Sequence, residues 1–361
     1  MISPGSCLRL RPSVAMVPME DGRWQFFQGN TRRSRVFKLQ ANLADAVGRL
    51  NGQQSLAIVA REAGAELGRL VALAEALHEA CLVEDDEVAR RVAQLPWRRV
   101  LNFIGDYIPS DLLESTFLRL DSTSAFILGV GGVGSWIATH LCQSGFGHLI
   151  LVDDDKVEPS NLNRSLYTFS DIGRYKVDAL ADRLRHIRPE IKINCVKQKL
   201  SDSEFLTSLL LEQPTSNIVV NCADAPSVDA TSSMVDEACR LVATPYVIAG
   251  GYNLHLSLIG MTVLPGKTAC YHCGRLTLEE LHGEDLAEMR KLARPWRNIG
   301  SLAPLAAITA SFAANEMLRI AIGDSRIPPA MINRRGEFNF LTNEMHFVSL
   351  PPRPECGCVP R

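Results

Sequence analysis

The feature that most constrains the fold is a glycine-rich turn between two apolar strands. Phe126–Val130 has the composition of a buried strand, and a helix is predicted at residues 135–144. A second apolar strand, His148–Val152, follows and ends on Asp153. The turn contains the glycines Gly129, Gly131, Gly132 and Gly134. This order of elements is that of a nucleotide-binding βαβ unit, in which backbone N–H groups bind phosphate and the acid binds a ribose hydroxyl.

The residues that follow this unit indicate a triphosphate rather than a dinucleotide. Asn161 and Arg164, in the run Ser-Asn-Leu-Asn-Arg, can donate hydrogen bonds to phosphate oxygens, and arginine does so as a planar fork. Lys176 lies where another helix is predicted to begin. Asp224 follows an apolar strand, at the sheet edge where open α/β folds bind ligands, and can hold Mg²⁺ against the phosphates. From the glycines alone, an NAD-linked oxidoreductase is the alternative.

Taken in order, these motifs resemble the ATP site of the ThiF/MoeB/HesA family, relatives of the ubiquitin-activating enzymes that adenylate a carboxylate. The resemblance covers residues 98–358 and implies a homodimeric enzyme that uses ATP and Mg²⁺. It implies that Asp153 holds the ribose and that Asp224 carries the metal. The predicted catalytic residues are Asn161, Arg164, Lys176 and Asp224. The predicted nucleotide-binding residues are Gly129, Gly131, Gly132, Gly134, Asp153, Asp155, Ser160, Asn161, Arg164, Lys176 and Asp224.

The resemblance also implies that an arginine crosses the dimer interface to the triphosphate of the partner. Arg98 or Arg99, which follow Pro96 and Trp97, occupy the matching region of this chain. A solvated basic turn is the alternative interpretation.

The overall composition is that of an ordinary globular protein. The 361 residues are 46% hydrophobic and carry a formal net charge of −2, so no basic excess argues for nucleic acid. The N-terminus lacks the basic start and apolar run of a signal peptide. No apolar stretch of about 18 residues is free of a charge or a break. We therefore expect a cytoplasmic protein without a membrane span.

Residues 1–90 are predicted to form a small winged-helix-like α+β domain. Its strands are expected at 14–18, 24–27 and 34–39, and its helices at 42–50, 55–63 and 67–80. Because the helices lack a basic stripe, DNA binding is disfavoured. The pattern resembles a leader-peptide recognition domain, in which a peptide adds to the edge of the sheet. A domain that only braces the dimer, or a DNA-binding regulator, is the alternative.

Residues 91–123 are interpreted as a linker and residues 124–361 as an ATP-binding adenylating domain. Because strands and helices alternate up to residue 249, we expect an α/β fold with a doubly wound, Rossmann-like, mainly parallel sheet. An antiparallel C-terminal extension should complete it. For this part we predict one strand at 252–264, a long small-residue helix at 301–319 and strands at 330–333, 337–341 and 345–348.

Ten cysteines are present, and four of them form two tight pairs near the C-terminal part of the chain. These are Cys270, Cys273, Cys356 and Cys358. Four thiolates from two knuckles suit a closed tetrahedral zinc site with a structural role. The ThiF/MoeB/HesA family carries such a zinc with two Cys-x-x-Cys pairs, whereas the second pair here is Cys-x-Cys. Cys142, Cys195, Cys222 and Cys239 fall inside predicted helices and strands, as small core residues do.

No cysteine lies between Cys273 and Cys356. Thioester-forming relatives place their nucleophilic cysteine in this crossover, so covalent catalysis from this segment is excluded by composition. Together with the N-terminal domain, this resembles the family's ribosomal-peptide maturation branch, which makes microcin C and pantocin. The predicted function is activation of a precursor-peptide carboxylate by ATP, at the α- or the γ-phosphate, followed by cyclisation or dehydration in antibiotic biosynthesis. An activator of a ubiquitin-like sulfur-carrier protein is the alternative.

Overall fold

The computed structural model describes residues 2–213, 216–250, 252–253, 256–286 and 300–359. The chain divides into two compact units, Met1–Leu118 and Arg119–Arg361. The predicted linker at 91–123 is largely helical, and most of it belongs to the first unit.

The first unit combines a small sheet with a bundle of short helices. Its strands are β1 (Leu8–Leu10), β2 (Val14–Pro18), β3 (Arg23–Gln28), β4 (Arg33–Lys38) and β5 (Val83–Asp85). Its helices are α1 (Ala41–Gly48), α2 (Leu56–Ala63), α3 (Leu67–Glu79), α4 (Asp86–Gln94) and α5 (Arg98–Gly105), and α6 (Leu113–Ser122) crosses the unit boundary. A 3₁₀ turn spans Ser110–Leu112. The strands and helices predicted between residues 14 and 80 are all present, and their apolar faces form one buried core around Phe26, Leu56 and Leu70.

In the first unit, β2, β3 and β4 form an antiparallel sheet in that order, and β1 pairs with β5. The sequence dictates several of the boundaries. Helix α2 ends at Gly64, whose φ of 63° is the left-handed conformation that glycine adopts without strain. Helix α4 begins after Asp85, whose carboxylate accepts hydrogen bonds from the N–H groups of Glu87 and Val88.

The second unit is an α/β domain. Its strands are β6 (Ser124–Leu128), β7 (His148–Val152), β8 (Lys192–Val196), β9 (Asn217–Asn221), β10 (Tyr246–Ile248), β11 (Tyr252–Asn253), β12 (Leu256–Ile259), β13 (Thr262–Val263), β14 (Arg334–Asn339) and β15 (Met345–Ser349). Its helices are α7 (Gly134–Gln143), α8 (Lys176–Ile187), α9 (Ser203–Leu211), α10 (Val228–Leu241), α11 (Tyr271–Leu286) and α12 (Ala303–Ile322). Short 3₁₀ turns span Pro159–Asn161 and Phe169–Asp171.

The larger sheet of this unit has the order β13-β10-β9-β6-β7-β8 within the described residues, and β6 to β10 are parallel. The chain runs outward from β6 through β7 to β8 and then returns to β9, on the other side of β6. This reversal creates a topological switch point between β6 and β9, at whose carboxyl edge open sheets bind ligands. A second, antiparallel sheet has the order β11-β12-β14-β15. The predicted α/β class, with its mainly parallel sheet and antiparallel extension, is confirmed.

Two predictions for the C-terminal extension are wrong in detail. The single strand expected at 252–264 is divided, because β12 joins the antiparallel sheet whereas β13 joins the larger one. Gly260 allows this change of sheet, since a Cβ there would lie 1.6 Å from the carbonyl oxygen of Ile248. Residues 254–255 of the same predicted strand lie outside the described residues. The strand expected at 330–333 is reduced to a bridge between Thr262 and Ile332.

Helix α12 is, among the described helices, the one long and apolar enough to span a membrane by length and composition. It is instead largely buried and packs against α7 and β12, as core helices do. Its buried Glu316 fixes the following chain, since its carboxylate accepts hydrogen bonds from the Thr262 hydroxyl and from the N–H groups of Ala330 and Met331.

Candidate functional site

The glycine turn follows β6 at the switch point of the sheet. Gly129 has a φ of 80°, and a Cβ there would lie 3.0 Å from the backbone of Cys222, so only glycine fits. A Cβ at Gly131 would meet open space, whereas one at Gly134 would lie 2.0 Å from the Gly129 carbonyl oxygen. The turn therefore leaves an open cradle before the N-terminus of α7, where backbone N–H groups can receive phosphate.

Asp153, at the end of β7, fixes this turn. One oxygen of its carboxylate accepts a 2.8 Å hydrogen bond from the N–H of Val130, and the other accepts a 2.9 Å bond from the N–H of Asp155. Burial raises the pKa of Asp153, although Lys176 and these two hydrogen bonds act in the opposite direction. The residue is thus placed as a ribose-binding acid is, and it also holds the phosphate cradle in shape.

Lys176 opens α8 beside this acid. Its Nζ lies 2.7 Å from an Asp155 oxygen and 3.9 Å from an Asp153 oxygen, and the side chain is largely buried. The lysine therefore already neutralises two carboxylates of the predicted site. A bound triphosphate would have to share this ammonium with Asp155, or displace it.

The run Ser160 to Arg164 forms a compact turn held by its own side chains. Asn161 accepts a hydrogen bond from the N–H of Glu158, so its amide N–H₂ group is directed elsewhere. The Arg164 guanidinium donates to the Ser160 carbonyl at 2.6 Å and to Asn163 at 3.1 Å, while its own carbonyl accepts from the Trp136 indole. To contact a phosphate, as predicted, Arg164 would have to exchange these local bonds for phosphate oxygens.

Asp224 lies on the loop between β9 and α10, next to the glycine turn. The N–H of Cys222 donates to the Leu128 carbonyl at 2.8 Å, which holds this loop against the end of β6. The Asp224 side chain is exposed, and it has no hydrogen-bond or ion-pair partner in the part of the chain that the structure describes. An exposed carboxylate beside a phosphate cradle fits an Mg²⁺ ligand, since Mg²⁺ is usually held by one or two carboxylates and the substrate phosphates.

Arg98 and Arg99 lie in the first turn of α5, within the first unit. Their predicted role at the triphosphate of a partner chain stays a prediction. The remaining predicted nucleotide residues all belong to the second unit.

Two buried residues that the sequence did not single out complete the site. Tyr167 donates its hydroxyl to the Val130 carbonyl at 2.6 Å and also contacts the Lys176 carbonyl at 3.3 Å. Asn221 accepts from the N–H of Ala223 at 3.1 Å and donates to Thr231, which bonds the Ala223 carbonyl in turn. In the sequence, Tyr167 could have been noticed as an aromatic residue in a polar run, and Asn221 as an asparagine at the end of an apolar strand.

The four paired cysteines come together as predicted. The Sγ atoms of Cys270 and Cys356 are 3.6 Å apart, and those of Cys273 and Cys358 are 3.5 Å apart. Tetrahedral zinc with Zn–S bonds of about 2.3 Å requires S–S separations of about 3.8 Å, so the cluster fits zinc. The shorter Cys-x-Cys spacing is compatible with this geometry, because the chain turns tightly between the two cysteines. Gly357 has a φ of 65°, a left-handed conformation that glycine adopts without strain.

The other cysteines of the second unit are not activated nucleophiles. Burial raises the pKa of Cys142 to about 11, and it raises the pKa values of Cys195, Cys222 and Cys239 as well. Because thiolate is the nucleophilic form, these side chains are unsuited to thioester chemistry.

The chain matches known proteins by sequence. The sequence model of the ThiF family matches residues 107–358. The chain is similar to the sulfur carrier protein ThiS adenylyltransferase of Escherichia coli (strain K12), at 31% identity over 156 residues that make up 43% of this chain and 59% of that protein. It spans about six-tenths of the length of the first curated relatives that it matches.

The chain also matches solved structures along nearly its whole length. One is E. coli MccB with ATP, with a TM-score of 0.73 at 20% identity over 98% of this chain and 99% of that chain. The microcin C7 biosynthetic enzyme MccB in complex with N-formylated MccA gives 0.72 at 19% identity over 97% and 99%. PaaA gives 0.66 at 19% identity over 95% of this chain and 100% of that chain. These likenesses establish a shared fold.

Proposed function

The chain belongs to the ThiF family, and on that premise we propose that it uses MgATP to adenylate a carboxylate of a ribosomally made precursor peptide. The acyl-adenylate then leads to a cyclised or dehydrated peptide, in the biosynthesis of a peptide antibiotic. The enzyme acts as a cytoplasmic homodimer.

The observation that carries this proposal is the extent of the structural likeness. The ThiF family model begins at residue 107, whereas the likeness to MccB covers 98% of the chain and so includes the first unit. MccB has been solved in complex with N-formylated MccA. A unit that this chain shares with MccB, and that lies outside the match to the ThiF family model, supports the peptide substrate proposed here over a sulfur-carrier protein.

The sheet of the first unit offers a place for such a peptide. Strands β2 and β4 each pair with β3 alone among the described strands, so each has an unpaired edge. An extended peptide can add to such an edge through main-chain hydrogen bonds. Strand β4 is largely exposed and carries Arg33, Arg35 and Lys38, which suits a peptide with acidic or polar side chains.

In the proposed reaction, the residues around the glycine turn act by position and charge. The turn and the N-terminus of α7 receive the phosphates, while Lys176 and Arg164 neutralise charge that develops on them. Asp224 would hold Mg²⁺, and a bound Mg²⁺ would supply Lewis-acid neutralisation of the phosphate charge. A peptide carboxylate oxygen attacks the α-phosphorus. The bond between the α-phosphorus and the oxygen that bridges to the β-phosphate breaks, and pyrophosphate leaves. No general base is needed, because the carboxylate is already ionised.

The second step requires a nucleophile from the substrate. Of the eight cysteines in residues 119–361, four form the zinc-type cluster and four have raised pKa values. This distribution supports intramolecular attack on the acyl-adenylate by a nitrogen of the peptide, with release of AMP. Closure of a ring in this way removes the elements of water from the peptide overall.

A second candidate is activation of a sulfur-carrier protein at its C-terminus. The 31% identity to ThiS adenylyltransferase favours it. In that function the first unit would have no assigned partner.

Mass spectrometry of the enzyme with MgATP and a precursor peptide encoded beside its gene tests the proposal. We expect the peptide to gain one AMP or to lose one water, and we expect an Asp224→Ala variant to leave it unchanged. An unchanged peptide with the wild-type enzyme, together with adenylation of a Gly-Gly-tailed carrier protein, would establish the second candidate instead.

A further inference from the structure

One face of helix α10 connects the cysteine cluster to the loop that carries Asp224. Asp229 and Asp236 lie seven residues apart, which is about two helical turns, so both project from the same face. Both contact Tyr271, the residue that follows Cys270 in the cluster. The N–H of Tyr271 lies 3.3 Å from an Asp236 oxygen, and the Tyr271 hydroxyl donates to Asp229 at 2.7 Å.

The contact between Tyr271 and Asp236 is supported by further buried groups. Asp236 is buried and also accepts a hydrogen bond from the hydroxyl of Tyr246, which is fully buried in β10. The Tyr271 N–H in turn lies 3.2 Å from the Tyr246 oxygen. The backbone of the cluster is therefore tied to the middle of α10 and to the sheet.

The contact between Tyr271 and Asp229 lies close to Asp224 along the chain. Helix α10 begins at Val228, and Ser227 caps it by accepting a 3.1 Å hydrogen bond from the N–H of Ala230. The first turns of α10 also hold the Asp224 loop directly, since the Thr231 hydroxyl donates to the Ala223 carbonyl at 2.7 Å. A shift of this helix end would therefore move the Asp224 carboxylate relative to the phosphate cradle.

We propose that Tyr271 is a positioning residue through which the cysteine cluster sets the Mg²⁺ affinity of the nucleotide site. The side chain spans two turns of α10 and fixes its first turn through Asp229. This proposal rests on the proposed function, in that Asp224 is taken as the metal ligand. It gives the cluster a second role besides joining Cys270 and Cys273 to the C-terminal segment that contains Cys356 and Cys358.

The test measures ATP binding by calorimetry over a range of Mg²⁺ concentrations, with the zinc-loaded full chain and no peptide. Tyr271→Phe removes the hydroxyl and keeps the ring and the backbone contacts. We expect it to raise the Mg²⁺ concentration for half-maximal ATP binding roughly 3- to 10-fold, which corresponds to the net free energy of one typical hydrogen bond. ATP affinity at saturating Mg²⁺ should approach that of the wild type.

Substitutions at Asp229 provide an independent second arm. Asp229→Ala should raise the Mg²⁺ concentration for half-maximal ATP binding as Tyr271→Phe does. Asp229→Asn should largely restore the wild-type value, because it keeps an acceptor oxygen. Tyr271→Phe combined with Asp229→Ala should raise that concentration no further than either substitution alone. Tyr107→Phe in the first unit is the matched control, and zinc content and melting temperature are measured for every variant.

An unchanged Mg²⁺ dependence in both Tyr271→Phe and Asp229→Ala, with zinc retained, would overturn the inference. The proposed function is judged separately by Asp224→Ala. If Asp224→Ala abolishes the Mg²⁺ dependence but the other two variants behave as wild type, only the role of Tyr271 fails. If Asp224→Ala itself leaves the dependence unchanged, the metal assignment fails and the inference with it.

Discussion

The hydroxyl of Tyr167 donates a 2.6 Å hydrogen bond to the carbonyl oxygen of Val130, in the middle of the glycine turn. The same hydroxyl lies 3.3 Å from the carbonyl oxygen of Lys176, where α8 begins. One buried side chain thus connects the phosphate cradle to the lysine that is proposed to neutralise the phosphates. Burial raises the pKa of Tyr167, so the phenol stays protonated and remains a donor at physiological pH.

Tyr167→Phe should therefore weaken both the fold and the nucleotide site. The buried Val130 carbonyl would lose its partner, at a cost of about 1–2 kcal/mol in the free energy of unfolding. ATP affinity should fall several-fold, because the turn is no longer held in shape. Denaturant unfolding and ATP titration measure the two effects. Tyr175→Phe is the control, and equal effects of the two substitutions would contradict the role assigned to the Tyr167 hydroxyl.

Lowering the pH should remove the part of the unfolding free energy that depends on the Asp171 carboxylate. Burial alone would raise the pKa of this carboxyl, but hydrogen bonds from Thr168 and the charge of Arg174 hold it below its usual range. A lowered folded-state pKa contributes stability above the unfolded value of about 4, and that contribution is lost as the pH falls through the folded value. The loss in unfolding free energy caused by Asp171→Asn should be largest at neutral pH and should shrink below about pH 4. A loss that is independent of pH would contradict this.

The cysteine cluster should bind one zinc ion per chain. Cys356→Ser or Cys358→Ser should reduce the zinc content and lower the melting temperature by about 5–10 °C, because one ligand of a closed tetrahedral site is replaced. Metal analysis and thermal unfolding measure these effects, with Cys7→Ser in the first unit as the control. Full zinc content in Cys356→Ser would show that the Cys-x-Cys pair is not part of the site.

An arginine supplied by a partner chain predicts complementation between inactive subunits. If Arg99 reaches the triphosphate of the partner, Arg99→Ala and Asp224→Ala homodimers are both inactive, but their mixture regains activity in one site of each heterodimer. Arg98→Ala is tested in the same way. The Arg99→Ala/Asp224→Ala double variant, mixed with Asp224→Ala, should show no recovery, and a failure of both single arginine variants to complement would exclude Arg98 and Arg99 as crossing arginines.

The proximity of the predicted site residues could be inferred from the sequence better than the contacts that hold them in place. The glycine turn, Asp153 and Lys176 are set by local order along the chain, and the structure brings them together at one edge of the sheet. Tyr167 and Asn221 were not predicted, because their roles depend on carbonyl groups that come close only in the folded chain. The division of the 252–264 strand at Gly260 was missed for the same reason, since alternation cannot reveal a change of sheet.

Peptide-dependent exchange between isotope-labelled pyrophosphate and ATP reports reversible attack of a carboxylate on the α-phosphorus, which is the first step of the proposed reaction. We expect exchange that requires the precursor peptide and is lost when the peptide carboxylate is amidated. It should fall roughly 10²-fold or more in Asp224→Ala but not in Glu237→Gln, a substitution of an exposed acid on α10. Exchange that is independent of the peptide and requires a Gly-Gly-tailed carrier protein would contradict the proposed adenylation of a precursor peptide.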